Sequence, residues 1–87
     1  MKIIVHNEWG IFEVPKEVQE LIDCDEYNDS REIRTDLRFI NWLEKHNYYE
    51  DEFKIIEVPD NTTDFAIADY DGMETLYYVV DGKIYEV

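Results

Sequence analysis

Thr75-Leu76-Tyr77-Tyr78-Val79-Val80-Asp81-Gly82-Lys83-Ile84-Tyr85-Glu86-Val87 is the stretch that decides the fold. Two runs rich in β-branched and aromatic residues meet at Asp81-Gly82, and a two-residue Asp-Gly link between such runs is a hairpin signal. Working backwards, Asp71-Gly72 marks a second turn, and Asp64-Phe65-Ala66-Ile67-Ala68-Asp69-Tyr70 before it alternates weakly as a strand. Phe53-Lys54-Ile55-Ile56-Glu57-Val58 is another strand, ended by Pro59, which has no N–H for a ladder. Four successive strand signals favour an antiparallel sheet over a parallel α/β fold.

The first half of the chain supplies one strand and the helices. Lys2–His6 carries Ile3-Ile4-Val5 in sequence and is expected to be a strand buried on both faces, paired with a later strand. Asn7-Glu8-Trp9-Gly10 breaks it. Pro15 suits a first helical turn, Val18, Leu21 and Ile22 share one face, and the helix should close near Asp23 or Cys24. On this reading Glu13, Glu17 and Glu20 line another face. Asp25–Ser30 is polar and without period, hence a loop. The next helix has two possible starts, Ser30 or Thr35, of which Thr35 is preferred, and its end falls around His46-Asn47. The expectation is one α+β domain over residues 1–87, with two helices on a mainly antiparallel sheet in the order β-α-α-β-β-β-β. Its core should hold Ile4, Leu21, Leu37, Ile40, Leu43, Ile55, Val58, Ile67, Leu76 and Val79.

Charge narrows the function. Against 22 Asp and Glu stand 8 Lys and Arg, for a net −14, which disfavours direct nucleic-acid binding and an anionic membrane surface. Aromatics at 15% exclude a simple disordered acidic tail. Cys24 is the single cysteine, so no internal disulfide forms. The apolar run after Met1 is too short for a signal peptide, and the expected location is the cytoplasm. No pair of His or Cys has zinc-ligand spacing, and Asp69-Tyr70-Asp71-Gly72 lacks the twelfth-position Glu of a calcium loop, where Val80 stands. Neither a metal nor a cofactor is expected. No carboxylate pair stands out for acid–base work, and the acids around Cys24 would raise its thiol pKa, so an enzyme ranks last.

Two constellations remain. Carboxylates one helical turn apart are ~6 Å apart along the axis, comparable to two phosphates of a DNA strand at ~3.4 Å each. An ordered acidic face can therefore occupy a protein groove built for nucleic acid. The candidate partner-binding residues are Glu13, Glu17, Glu20, Glu50, Asp51 and Glu52, with Trp9, Tyr48 and Tyr49 as aromatic anchors. The same acids could simply keep a small protein soluble. The alternative site is Arg31, Arg34, Arg38 and Lys45, which could bind an anion such as a nucleotide. In so acidic a chain these cations should pair internally with Glu32, Asp36, Glu44 and the loop acids.

Four pieces carry a family resemblance: Met1–Asn7 with Gly10 and Phe12, Arg34-Thr35-Asp36-Leu37, Lys54–Asp60, and Tyr70-Asp71-Gly72. In this order and spacing they resemble a widespread family of small bacteriophage proteins that open with a Met-Lys-Ile stretch and a Gly-Gly-Phe turn. The resemblance covers residues 1 to about 75. The chain departs from it at Gly10-Ile11-Phe12, which holds one glycine fewer, and in the added Asp81-Gly82 hairpin. It implies expression in an infected bacterium and a role as an inhibitor of host defence, anti-CRISPR-like, or of a nucleic-acid enzyme. The expected partner is then a host protein with a basic nucleic-acid-binding surface.

Overall fold

A computed structural model describes residues 1–46 and 52–87. Its elements are β1 (Lys2–His6), α1 (Lys16–Ile22), α2 (Arg31–Arg34), α3 (Leu37–His46), β2 (Phe53–Glu57), β3 (Asp64–Tyr70), β4 (Met73–Val80) and β5 (Lys83–Glu86). The fold is α+β, and all strand pairs are antiparallel. Two differences from the sequence reading stand out. There are three helices among the described residues instead of two, and the strands form two sheets, β1-β2 and β3-β4-β5.

The extra helix arises because the chain starts a helix at Ser30 and restarts it at Asp36; the preferred start at Thr35 is a correction, since Thr35 closes α2 and does not cap α3. Ser30 caps α2 by accepting from the Ile33 amide, and the chain breaks after one turn at Thr35. Thr35 Oγ1 then donates back to the Arg31 carbonyl, so it is Asp36 that caps α3, accepting the Arg38 amide at 2.8 Å. This break resets the helical phase. Phe39, Ile40 and Leu43 become the buried stripe of α3, and Leu37, expected in the core, is 67% exposed. Leu21 is likewise a correction, at 50% exposed. Because α1 begins at Lys16, Val18 and Ile22 face the core one turn apart and Leu21 turns to the rim. Asp23 closes that helix at φ 54°, with an amide reaching back to the Gln19 carbonyl.

β1 lies between two apolar clusters, and its alternation explains why. Ile4 packs with Phe12, Val14, Val18, Ile33, Phe39, Ile40, Leu43 and Phe53 on the helical side. Ile3 and Val5 point the other way, to Val58, Phe65 and Leu76 of the second cluster. Each fully buried aliphatic chain contributes about 1.5–3 kcal/mol. Ile40, Leu43, Val58 and Leu76 are buried as expected, and Ile55, Ile67 and Val79 are half-buried.

The end hairpin forms as expected, with Val80 opposite Lys83. Asp81 and Gly82 have φ of 52° and 76°, as a type I′ turn demands. β1 meets the second sheet at one bridge, Asn7 to Met73. Beyond it, the Glu74 carboxylate does what a neighbouring strand would, accepting the His6 amide at 2.7 Å.

Candidate functional site

Arg34 organises the site. The single turn of α2 turns it inward, where it is 3% exposed. Its Nη1 and Nη2 donate to Glu74 Oε1 and Oε2 at 2.7 and 2.8 Å, a two-pronged buried pair. Nη1 also donates to the Ile4 carbonyl at 3.1 Å and Nε to the Asp29 carbonyl at 2.7 Å. The guanidinium lies over the Phe12 ring, 4.6 Å from its centroid. Arg34 therefore joins α2, β1, β4 and the loops at Phe12 and Asp29.

Next to this hub the loop after β1 closes on the β3–β4 turn. The Gly10 amide donates to the Asp71 carbonyl at 2.7 Å, and the Gly72 amide to Asp69 Oδ1 at 2.7 Å. Gly72 has φ 95°, and a β-carbon there would lie 2.6 Å from the Gly10 nitrogen and collide with its carbonyl oxygen. The Gly72 carbonyl accepts from His6 Nδ1 at 2.7 Å. Since a carbonyl only accepts, that nitrogen carries a proton. His6 Nε2 has no hydrogen-bond partner among the described residues and faces the Glu52 carboxylate at 3.6 Å.

The closed loop leaves a pocket of about 660 Å³. Trp9, Phe12 and Tyr27 supply aromatic walls, and Asp29, Asp69, Asp71 and Glu74 supply carboxylates. Gly10, Ile11 and Gly72 complete the lining. Around the rim Trp9, Ile11, Tyr27 and Tyr70 are 64%, 69%, 58% and 73% exposed, and the Trp9 and Tyr70 rings meet edge-on at 6.0 Å. Exposed aromatic clusters of this kind are the composition of interface hot spots.

The acids expected on one helical face are arranged differently. Glu13 precedes α1 and shares no helical face with Glu17 and Glu20; that is a correction. It lies with Glu26 and Glu52 in a neighbouring cleft of about 490 Å³, beside Lys16 and Gln19. A hydrogen bond with Glu26, then burial and the charges of Glu26 and Glu52, push its carboxyl above the usual range. The same two glutamates, Glu26 before Glu13, raise the Tyr27 hydroxyl. Glu17 and Glu20 are exposed on α1, with Glu17 accepting the Trp42 indole at 3.2 Å. Tyr48, Tyr49, Glu50 and Asp51 lie outside the described residues.

The four cations of the alternative site do not form one patch. Arg31 and Arg34 border a shallow pocket of about 340 Å³, but Arg31 faces Asp64 at 2.7 Å and Arg34 faces Glu74. Arg38 pairs with Asp36 at 2.8 Å, and Lys45 is exposed in the last turn of α3. Internal pairing is as expected, yet among the described residues Asp36 is the one carboxylate expected from the sequence that pairs with these cations, because the long-range contacts to β3 and β4 leave no trace in spacing. Burial, and then Asp25, Asp23 and Asp36, raise the Cys24 thiol. Among the described residues no three His, Cys, Asp or Glu are placed to hold a metal ion, and no helix is long and apolar enough to cross a membrane. Phe12, Tyr27 and the Asp69–Glu74 turn are the parts of the site that sequence reading missed. Comparison with family models, curated proteins and solved structures finds no match for this chain.

Proposed function

We propose that this chain is a protein-binding inhibitor that docks on a basic, nucleic-acid-binding surface of its partner. The observation that carries the reading is the patch of Trp9, Ile11, Tyr27 and Tyr70 around an acid-lined pocket. The aromatics supply desolvated contact area, and the surrounding carboxylates select a basic partner and speed its encounter. Asp29, Asp69 and Asp71 in this pocket, and Glu13, Glu26 and Glu52 in a second cleft, add negative charge for a basic partner. The partner we propose is a defence effector, or another enzyme that handles nucleic acid, in an infected bacterium, as the resemblance to bacteriophage proteins would imply.

A nucleotide site on Arg31, Arg34, Arg38 and Lys45 has less support, since the guanidinium groups of all three arginines already face carboxylates. The test is competition. A nucleic-acid-binding protein retained by the tagged chain from bacterial lysate is challenged with DNA or guide RNA at two salt concentrations. The reading expects displacement by nucleic acid, weaker binding at higher salt, and weaker binding for Trp9→Ala and for Glu13→Lys. If the nucleic acid does not compete and neither substitution weakens binding, the reading is wrong.

A further inference from the structure

The pocket beneath Trp9 has features that specify one kind of occupant. Its aromatic walls come from two loops, Trp9 and Phe12 from the one after β1 and Tyr27 from the one after α1, and one of them already displays a recognition chemistry. The inner wall, Phe12, has the Arg34 guanidinium stacked on it at 4.6 Å. The outer walls, Trp9 and Tyr27, keep more than half their surface in solvent. Glu74 is saturated by Arg34 and the His6 amide, and one oxygen of Asp69 takes the Gly72 amide. The carboxylates of Asp29 and Asp71 accept no hydrogen bond among the described residues. The Arg34 charge is thus paired with Glu74, and the charge left over in the pocket is negative.

We infer that this pocket receives an arginine side chain of the partner, stacked on Trp9 and held by the carboxylates of Asp29 and Asp71. A planar, weakly hydrated guanidinium suits aromatic walls and carboxylates spread around a rim. An ammonium group is a compact, strongly hydrated charge and gains less from the rings. The pocket is pre-formed, because the Gly10–Asp71 hydrogen bond and the close seating of Gly72 on Gly10 fix the Trp9 loop to the β3–β4 turn. This inference rests on the proposed function only in taking the partner to be a basic protein, and it can fail separately.

The experiment uses the full chain and small probes. N-acetyl-arginine amide is titrated into the labelled protein while the Trp9 indole and Gly10 amide resonances are followed. N-acetyl-citrulline amide serves as the neutral isostere and N-acetyl-lysine amide as the other cation. The arginine probe should shift both resonances with a Kd of about 1–10 mM, the range for a single side chain. The lysine probe should bind more weakly, and the citrulline probe should leave the resonances in place. Trp9→Ala should weaken arginine binding roughly fivefold, and Asp71→Asn and Asp29→Asn by roughly two- to fivefold each. All three sites are on the surface, and an unchanged amide spectrum elsewhere verifies the fold. Equal binding of citrulline and arginine, or resonances that do not move, overturns the inference. If nucleic acid still competes for the captured partner in that event, the proposed function stands without it. If the arginine probe binds but nucleic acid does not compete, the pocket assignment stands and the nucleic-acid mimicry falls.

Discussion

Breaking the Arg34–Glu74 pair should remove a large share of this protein's stability. An 87-residue domain is held by roughly 4–13 kcal/mol in all, at ~0.05–0.15 kcal/mol per residue. The side chains of Arg34 and Glu74 are each 4% exposed, so either one left alone is a buried charge without a counter-charge. Losing one partner of such a pair costs about 3–5 kcal/mol. Arg34→Met also orphans the Ile4 and Asp29 carbonyls, and Glu74→Leu orphans the His6 amide. The double variant Arg34→Met/Glu74→Leu leaves no unpaired charge but keeps those three backbone losses. It should therefore be less stable than the parent, yet more stable than the two single losses added together, with a coupling of about 2–3 kcal/mol. Urea unfolding followed by tryptophan fluorescence and circular dichroism measures all four proteins. Where a single variant is unfolded in water, its loss is bounded from below by the parent's stability, and Glu74→Gln supplies a milder member of the series. Single losses under about 1 kcal/mol, or strictly additive losses, would refute the argument that the pair is a coupled, buried unit.

Added NaCl should raise the melting temperature, because the Debye length falls from ~30 Å at 0.01 M to ~8 Å at 0.15 M and screens the repulsion among the acids; an insensitive Tm would contradict this. The hydrogen bond to Glu26 raises the Glu13 carboxyl, so the folded state binds more protons there than the unfolded state, and this contribution to stability falls as pH rises from the ordinary carboxylate value through the raised one. Glu13→Gln should flatten that part of a Tm-against-pH profile. Asp36 is held low by the Arg38 side chain and by the amides it caps, so its contribution is present above the ordinary carboxylate value and lost as pH falls through the lowered one. Asp36→Ala should cost about 0.5–2 kcal/mol at neutral pH, measured by urea unfolding, and less in acid. Gly82→Ala should cost roughly 1 kcal/mol for its left-handed φ alone, whereas Gly72→Ala should cost more and shift the Trp9 resonances, since its β-carbon would meet the Gly10 backbone.

What sequence reading captured is what short-range chemistry controls. Asp81-Gly82 announced its hairpin, Pro59 ended β2's run, and the unbroken Ile3-Ile4-Val5 marked a strand covered on both sides. The errors have a common cause in helix phase. The expected core placed Leu37 inside with Ile40 and Leu43, but Asp36 captures the Arg38 amide and starts the helix there, so Phe39 takes the buried position and Leu37 faces out. Glu13 lost its helical company in the same way, because α1 begins after Pro15.

Trp9 was legible as a candidate anchor, since a tryptophan in a turn has little else to do. Its surroundings were not legible. Tyr27, Asp29 and Asp71 share its pocket only through the tertiary fold, and nothing in local periodicity connects residue 9 to residue 71. Arg34 shows the same limit. Its neighbours in sequence gave no sign that a glutamate 40 residues away would receive it in the interior.

Binding of the proposed partner across the Trp9 pocket would leave its mark on a resonance-perturbation map. The labelled chain is titrated with the nucleic-acid-binding protein it captures, and backbone and indole resonances are followed. The largest changes should cluster at Trp9–Phe12, Tyr27–Asp29 and Asp69–Glu74, and DNA or guide RNA should reverse them. Changes centred instead on β5 or the outer face of α3, with Trp9 unaffected, would contradict the proposal.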